Sequence, residues 1–326
     1  MAVLARTLIS RGVGPDTAVG VCIDRSVEMM VAIHAIVAAG GNYVPLDTDS
    51  PVDRTRYMLD IAGARYVLIA AGTAPEALDG LGDGIDVLEV DASADVDLSA
   101  PPVTDAERLS PILPGTAAYT LFTSGSTGRP KGVTITHEAL VNRLGWMSDW
   151  YGLTGDDVFL QKTPTTFDVS VWELFWPFIS GASVVLAAPG AHRDPAAIAQ
   201  IIREHAVSVV HFVPTMLDAF LAAPIPDSDL ESLRLVFTSG EALAARTGGE
   251  TLRRTLAAVH NLYGPTEAAV DVTAHQVGAG EAGGRSIPIG RPTAGNEVYV
   301  LDSRLRPVAA GVVGELYLGG VQLARG

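Results

Sequence analysis

The sequence predicts an α/β protein: parallel-rich sheets flanked by helices in a layered core, with a small β substructure at the C-terminal end. Three observations carry this expectation. Apolar runs of strand length alternate with helical patterns from Val19 to Tyr263, a rhythm that favours parallel strands covered by crossover helices. The helical segments open and close on capping residues, such as Ser50-Pro51 at a start and Gly40-Gly41 at a stop. Beyond Val270 the helices cease, and short strands and turns take over.

Taken in order, Met1–Ile9 reads as the last turns of an amphipathic helix. Val19–Ile23 is a buried strand and Val27–Ala39 a helix stopped by Gly40. Ser50 caps a helix that starts with Pro51 and runs to about Ala62. Tyr66–Ile69 and Val87–Val90 are strands, and Asp91–Gly115, rich in Pro, Ser, Asp and Ala, is a surface crossover. There follow strand Ala117–Thr123, helix Thr136–Trp150, strand Val158–Gln161, helix Val169–Ile179 and strand Ser183–Ala187. Helix Pro195–His205, strand Ser208–Phe212, helix Pro214–Ala222, strand Leu233–Phe237, helix Ala242–Ala258 and strand His260–Tyr263 continue the alternation. Val270–His275, Val298–Leu301 and Glu315–Leu318 are the strands of the C-terminal part. These elements divide the chain into sub-lobes at about 1–115, 116–268 and 269–326.

Composition narrows the function. A formal net charge of −15 argues against nucleic-acid or anionic-membrane partners. No apolar run approaches the ~20 residues of a membrane span. The single cysteine, Cys22, excludes an internal disulfide framework and fits a reducing, cytoplasmic setting. The seven histidines show no metal-ligand spacing with cysteine.

The most informative segment is Leu121-Phe122-Thr123-Ser124-Gly125-Ser126-Thr127-Gly128-Arg129-Pro130-Lys131-Gly132-Val133, which follows a predicted strand. Small residues let backbone N–H groups approach phosphate oxygens, and hydroxyls and a lysine add donors. It is not a Walker A loop, because Lys131 follows Arg129-Pro130 and precedes Gly132. This run resembles the signature of the adenylate-forming superfamily, which includes acyl-CoA ligases, luciferases and the adenylation domains of nonribosomal peptide synthetases. Four further segments agree in order and spacing: Tyr43-Val44-Pro45-Leu46-Asp47, Phe167-Asp168-Val169-Ser170-Val171-Trp172-Glu173, Asn261-Leu262-Tyr263-Gly264-Pro265-Thr266-Glu267, and Gly314-Glu315-Leu316-Tyr317-Leu318-Gly319-Gly320 through Ala324-Arg325-Gly326. Gly41-Asn42 and Thr48-Asp49-Ser50 depart from the usual pattern, away from the chemistry.

The resemblance implies ATP and Mg²⁺ as cofactors and a set of roles. The loop with Thr123, Ser124, Gly125, Ser126, Thr127, Gly128 and Lys131 would cradle the β- and γ-phosphates. Glu267 would hold Mg²⁺, a hard oxygen for a hard cation, and Thr266 would donate to the α-phosphate. Tyr263 would face adenine, Asn261 would bond its exocyclic amine, Gly264 would lie alongside, and Gly240 would leave room for the purine. Asp168 would pair with the substrate's α-ammonium, since an unpaired buried charge is costly; it also suits a helix cap. The remaining pocket positions are Val169, Trp172, His211, Phe237, Ser239, Leu262, Val270 and Asp271. Trp172 fills volume and so favours a small side chain. His211, Ser239 and Asp271 make a polar set that a substrate hydroxyl would complete, and the combination resembles the family's serine-type pattern. Threonine and α-methylserine stay open as close alternatives.

Further implications concern what surrounds the chain. Both ends read as cut: Met1 falls inside a helix, and Gly326 ends a strand–turn signature. The expected whole is therefore the incomplete N-terminal subdomain of an adenylation domain, truncated before a smaller lysine-bearing C-terminal domain. Implied partners are an amino acid, a peptidyl carrier protein with its phosphopantetheine arm, and a small MbtH-like activator protein. An acyl- or aryl-CoA ligase lobe and a nucleotide-binding fragment without turnover are the competing readings.

Overall fold

The computed structural model describes residues 1–81, 84–92, 100–124 and 129–326. By contacts the chain groups into two units: Met1–Glu138 with Pro164–Ser170 and Ala324–Gly326, and Ala139–Thr163 with Val171–Leu323. The β-rich portion after 268 thus falls in the second unit, apart from its last three residues. Among the described residues, no helix is long and apolar enough to cross a membrane.

The first unit contains α1 (Ala2–Ser10), β1 (Ala18–Val21), α2 (Val27–Ala39), β2 (Asn42–Pro45), α3 (Val52–Ala62), β3 (Tyr66–Ala70), β4 (Asp86–Val90), β5 (Ala117–Ser124) and β6 (Pro130–Thr136). These strands form one sheet in the order β4-β3-β1-β2-β5-β6, parallel except for the antiparallel β5–β6 pair. Ser26 accepts a hydrogen bond from the Met29 N–H, and Gly40 closes α2 at φ 92°, a left-handed position that glycine occupies without strain. Ser50 does not cap α3. Pro51 itself is the flanking residue, in an extended conformation with no side-chain cap, and the helix begins at Val52. Strand β6 is a second difference. Pro130 and Gly132 are loop signals in the sequence, yet Val133 and Ile135 are buried while Lys131 is exposed. That period-two pattern is a half-buried strand.

The second unit contains most of α4 (His137–Tyr151), then β7 (Val158–Gln161), α5 (Ser170–Ser180, whose first residue groups with the other unit), β8 (Ser183–Leu186), α6 (Pro195–His205), β9 (Val209–Phe212), α7 (Pro214–Ala222), β10 (Leu235–Thr238), α8 (Ala245–Arg254), β11 (Ala258–Tyr263), β12 (Thr273–Gln276), β13 (Arg291–Pro292), β14 (Asn296–Leu301) and β15 (Glu315–Gly320). Its main sheet runs β13-β12-β11-β10-β9-β7-β8. Strands β8, β7, β9, β10 and β11 are parallel, and β12 and β13 add antiparallel edges. The β14–β15 pair is a separate antiparallel ribbon. Asp194 caps α6 through the Ala196 and Ala197 N–H groups, with Pro195 in the first turn. Helix α8 is shorter than predicted because Thr255 is extended and Ala258 already belongs to β11. The predicted strand at Val270 begins only at Thr273, since Ala269 and Val270 have positive φ.

Burial follows the pattern that predicted the elements. Ile198, Ile202, Val210, Phe212, Leu217, Phe220 and Val236 pack helices α6 and α7 on the second sheet; full burial of each such side chain stabilises by about 1.5–3 kcal/mol. Val44, Leu46, Leu59, Val67 and Ile69 do the same in the first unit. The fold class read from the sequence is the observed one: parallel-rich α/β layers and a small antiparallel C-terminal sheet.

Candidate active site

In the second unit, the candidate residues gather at the carboxyl ends of parallel strands, where open α/β sheets present their ligand sites. His211 lies near the end of β9 and pairs in register with Phe237 of β10, which pairs with His260 of β11. Ser239 and Gly240 follow β10 directly, and Tyr263-Gly264 end β11. The His211 Nε2 and Ser239 Oγ are 3.0 Å apart, both side chains buried. Around them stands an aromatic wall. Trp172 lies edge-on to His211 at 5.9 Å and to Phe237 at 5.3 Å between ring centroids, and Tyr151 meets Phe237 at 4.8 Å and His260 at 4.7 Å. Edge-to-face pairs of this kind add to the burial of the rings themselves. The indole N–H of Trp172 meets no hydrogen-bond partner among the described residues. Leu262 and Val270 are buried apolar neighbours in sequence of these strand ends.

Asp271 is buried and accepts a 2.8 Å hydrogen bond from Arg143 of α4; both side chains are 1% exposed. Its carboxylate therefore belongs to an ion pair that motif spacing does not reveal. The signal lies in the helix: Arg143 shares a face with Ala139, Leu140 and Met147, all buried.

The nucleotide candidates divide between the units. In the first, Thr123 and Ser124 end β5, and Lys131 is the exposed cross-strand partner of Thr123 on β6. Gly125, Ser126, Thr127 and Gly128 lie outside the described residues. In the second, Gly240 has φ 87°, and a Cβ there would meet only Val213 Cγ2 at 4.0 Å. Backbone conformation, more than crowding, thus calls for glycine. Gly264 is the opposite case, because a Cβ would fall 2.6 Å from the Asp271 Cα. Tyr263 is 37% exposed. Thr266 and Glu267 form a single 3-10 turn with Ala268, and Glu267 is exposed. Asn261 is buried. Its Nδ2 donates to the Pro288 carbonyl at 2.9 Å, and its Oδ1 accepts from Thr238 Oγ1 at 3.3 Å.

Asp168 and Val169 sit in the Pro164–Ser170 segment of the first unit. Asp168 is half-buried in the turn before α5. The Ser170 hydroxyl and N–H both donate to the Phe167 carbonyl, at 2.7 and 3.0 Å, which organises this turn. Val169, not Asp168, is the residue that flanks the helix.

Burial sets the charge state of the histidines. Desolvation, with Lys162 nearby, holds His211 well below its ordinary value, and desolvation with His275 lowers His260 to about 4. Both are neutral imidazoles at pH 7. As pH falls below about 6.5, the unfolded chain takes up protons that the folded chain refuses, so stability drops from there to about pH 4. The His260 contribution alone amounts to about 2 kcal/mol at pH 5. A urea midpoint clearly lower at pH 5 than at pH 7.5, with the difference reduced in His260→Gln, is the expected result.

The arrangement defines a class: an α/β protein with buried polar side chains beside glycine-bearing strand ends. Comparison with known proteins makes it specific. The AMP-binding enzyme family matches residues 2–326, and the chain belongs to it. Enterobactin synthase component F of Escherichia coli (strain K12) is 46% identical over 329 residues, covering 99% of this chain and 25% of that protein. The chain thus spans a quarter of that relative's length. Among solved structures, the nonribosomal peptide synthetase FmoA3 bound to alpha-methyl-L-serine-AMP matches at a TM-score of 0.88 and 30% identity, over 100% of this chain and 36% of that one. NpsA of Klebsiella oxytoca matches in two forms. Its N-terminal subdomain in complex with 3-hydroxybenzoyl-AMSN gives a TM-score of 0.83 at 26% identity, over 100% of this chain and 80% of that one. An artificially fused adenylation–PCP di-domain gives 0.84 at 25%, over 100% and 63%.

Proposed function

We propose that this chain is the N-terminal, ligand-binding part of an adenylation domain that activates L-serine, or a close β-hydroxy relative, for nonribosomal peptide synthesis. The observation that carries the substrate assignment is the buried His211–Ser239 hydrogen bond within an aromatic wall at the carboxyl edge of the sheet. Polar groups so deeply placed favour a ligand that completes their hydrogen bonds. The alpha-methyl-L-serine-AMP held by FmoA3 supports the same substrate class.

In the proposed reaction, a carboxylate oxygen of the amino acid attacks the α-phosphorus of ATP. The new P–O bond gives aminoacyl-AMP, and the bond to pyrophosphate breaks with its electron pair leaving on pyrophosphate. The protein's task is to position the nucleophile and stabilise the pentacoordinate oxygens. Asp168 would pair with the α-ammonium, Tyr263 would face adenine, Thr266 would donate to the α-phosphate, and Thr123, Ser124 and Lys131 would serve the outgoing phosphates. Among the described residues there is no cluster of three His, Cys, Asp or Glu side chains fit for a metal. Mg²⁺ brought in with triphosphate would take one or two carboxylates plus phosphate oxygens and water, and exposed Glu267 is the residue that would supply the protein ligand. The cation would neutralise phosphate charge. Asn261 would act on adenine only by releasing the Pro288 carbonyl. The adenylate would pass to a carrier-protein phosphopantetheine thiol, a partnership supported by the NpsA di-domain. An MbtH-like activator and the lysine-bearing C-terminal domain complete the proposed whole.

The test is amino-acid-dependent pyrophosphate exchange by the complete domain. Serine is expected to exceed alanine by about a hundredfold or more, and threonine by a smaller factor, since sites built for a hydroxyl reject its absence better than apolar pockets reject a methyl. A bulky apolar or aromatic amino acid ranking first would overturn the pocket assignment, and an acid without an amine ranking first would establish the aryl-acid reading that NpsA raises. The 326-residue chain alone is expected to bind ATP–Mg²⁺ weakly and to form little adenylate; robust exchange would show that the catalytic cation lies within it.

A further inference from the structure

Two buried side chains converge on the turn that carries Val270 and Asp271. Ala269 and Val270 both have left-handed backbone, at φ 52° and 81°, a conformation that a β-branched residue keeps only where its surroundings over-determine it. Those surroundings are identifiable. Gln322, 0% exposed, sets its amide nitrogen against the carbonyl oxygens of Ala268, Ala269 and Asp271 at 3.1, 3.4 and 3.0 Å. Its own Oε1 accepts from Asn142 Nδ2 at 3.0 Å and Asn296 Nδ2 at 2.8 Å, tying α4 and β14 to the same point. Arg143 Nη2 donates to Asp271 Oδ2 at 2.8 Å, and its guanidinium lies 5.1 Å from the Trp146 ring. From a third direction, the main chain of Gly264 leaves no space for a Cβ against the Asp271 Cα.

A turn that only had to connect β11 to β12 would need none of this. Strain persists where the geometry it enforces is used, and this turn bears two candidate pocket residues. Arg143 is also poorly explained as a scaffold residue, because its Nε and Nη1 find no hydrogen-bond partner among the described residues. Its contact of consequence is with Asp271. An ionised carboxylate only accepts hydrogen bonds. Held in that state, Asp271 favours a ligand group that donates and disfavours a methyl in its place.

We propose that Arg143 and Gln322 are positioning residues for the amino-acid pocket: together they fix the strained turn and the carboxylate of Asp271, and so set the preference for a hydroxylated amino acid. The inference rests on the serine-activating reading above.

The experiment measures, on the 326-residue chain, calorimetric affinities for the sulfamoyl-adenosine analogues of seryl- and alanyl-adenylate and for AMP. Arg143→Met and Gln322→Leu are each expected to lower the seryl-to-alanyl affinity ratio by about tenfold or more, while AMP affinity is retained. Arg143→Lys, which keeps the cation, is expected to restore most of the ratio. Should Arg143→Met not fold, Gln322→Leu, which strands no buried charge, carries the test with the same expected collapse of the ratio. An unchanged ratio in cooperatively melting variants overturns the proposal. So does an equal loss for both analogues with a lowered melting temperature, which marks a merely structural role. A wild-type chain that prefers the alanyl analogue removes the serine reading and this inference with it. A wild-type preference for the seryl analogue that survives in every variant removes this inference alone.

Discussion

Replacing Asp168 by alanine in the complete domain is expected to abolish amino-acid-dependent pyrophosphate exchange while leaving ATP binding in place. In the proposed reaction a free amino acid brings an α-ammonium, a charge that is costly to desolvate unless an opposite one meets it. Asp168 is half-buried in a turn whose shape is set by the Ser170 bonds to the Phe167 carbonyl and not by a regular helix. Losing one member of a buried pair typically costs ~3–5 kcal/mol, which corresponds to a loss of about two to four orders of magnitude in kcat/KM. The Ser170 bonds to the Phe167 carbonyl remain in the variant, and a thermal melt checks that it folds. Exchange kinetics with serine, paired with ATP affinity, separate the outcomes: activity retained in Asp168→Ala would confine this aspartate to the turn.

How much of the fold is legible in the sequence depends on where the physics is local. Helices α2, α6 and α7 and strand β7 match their predicted bounds because their caps, prolines and apolar periods lie within the segments themselves. The failures have long-range causes. Strand β6 is hidden by Pro130 and Gly132, and only its pairing with β5 explains it. The late start of β12 reflects two positive-φ residues in a turn whose carbonyls accept from Gln322, 51 to 54 positions away in sequence. Motif spacing nominates candidate pocket residues but not what they touch. That His211 meets Ser239 depends on the parallel register of β9 and β10. That Asp271 meets Arg143 depends on a helix 128 residues earlier. A buried arginine on a helix's apolar face asks for an anion, yet only the fold identifies it.

The same gap between motif and contact underlies the second large effect, expected at Glu173. In the sequence this residue merely closes the Phe-Asp-x-Ser-x-Trp-Glu segment; in the structure its carboxylate, 0% exposed, organises the exit from β7. Its Oε2 accepts from Gln161 Nε2 at 3.2 Å, the Lys162 N–H at 3.3 Å and the Thr163 N–H at 3.0 Å, and its Oε1 accepts from Thr163 Oγ1 at 2.7 Å. Bonds to an ionised acceptor are stronger than neutral ones, and a first-turn acidic residue also suits the positive end of α5. Glu173→Ala removes the acceptor and leaves the buried Lys162 and part-buried Thr163 backbone donors without it. The expected cost is ~3–5 kcal/mol, at the upper end for any single substitution. Glu173→Gln keeps the shape but turns two protons toward donors, so it should recover only part of the loss. Thr163→Val removes one bond and should cost about 1 kcal/mol. Thr163 is also the residue from which the chain leads into the segment bearing Asp168, so the weakened variants should show a raised KM for the amino acid. Urea unfolding of the three variants tests the ranking, and a Glu173→Ala midpoint indistinguishable from wild type would sink it.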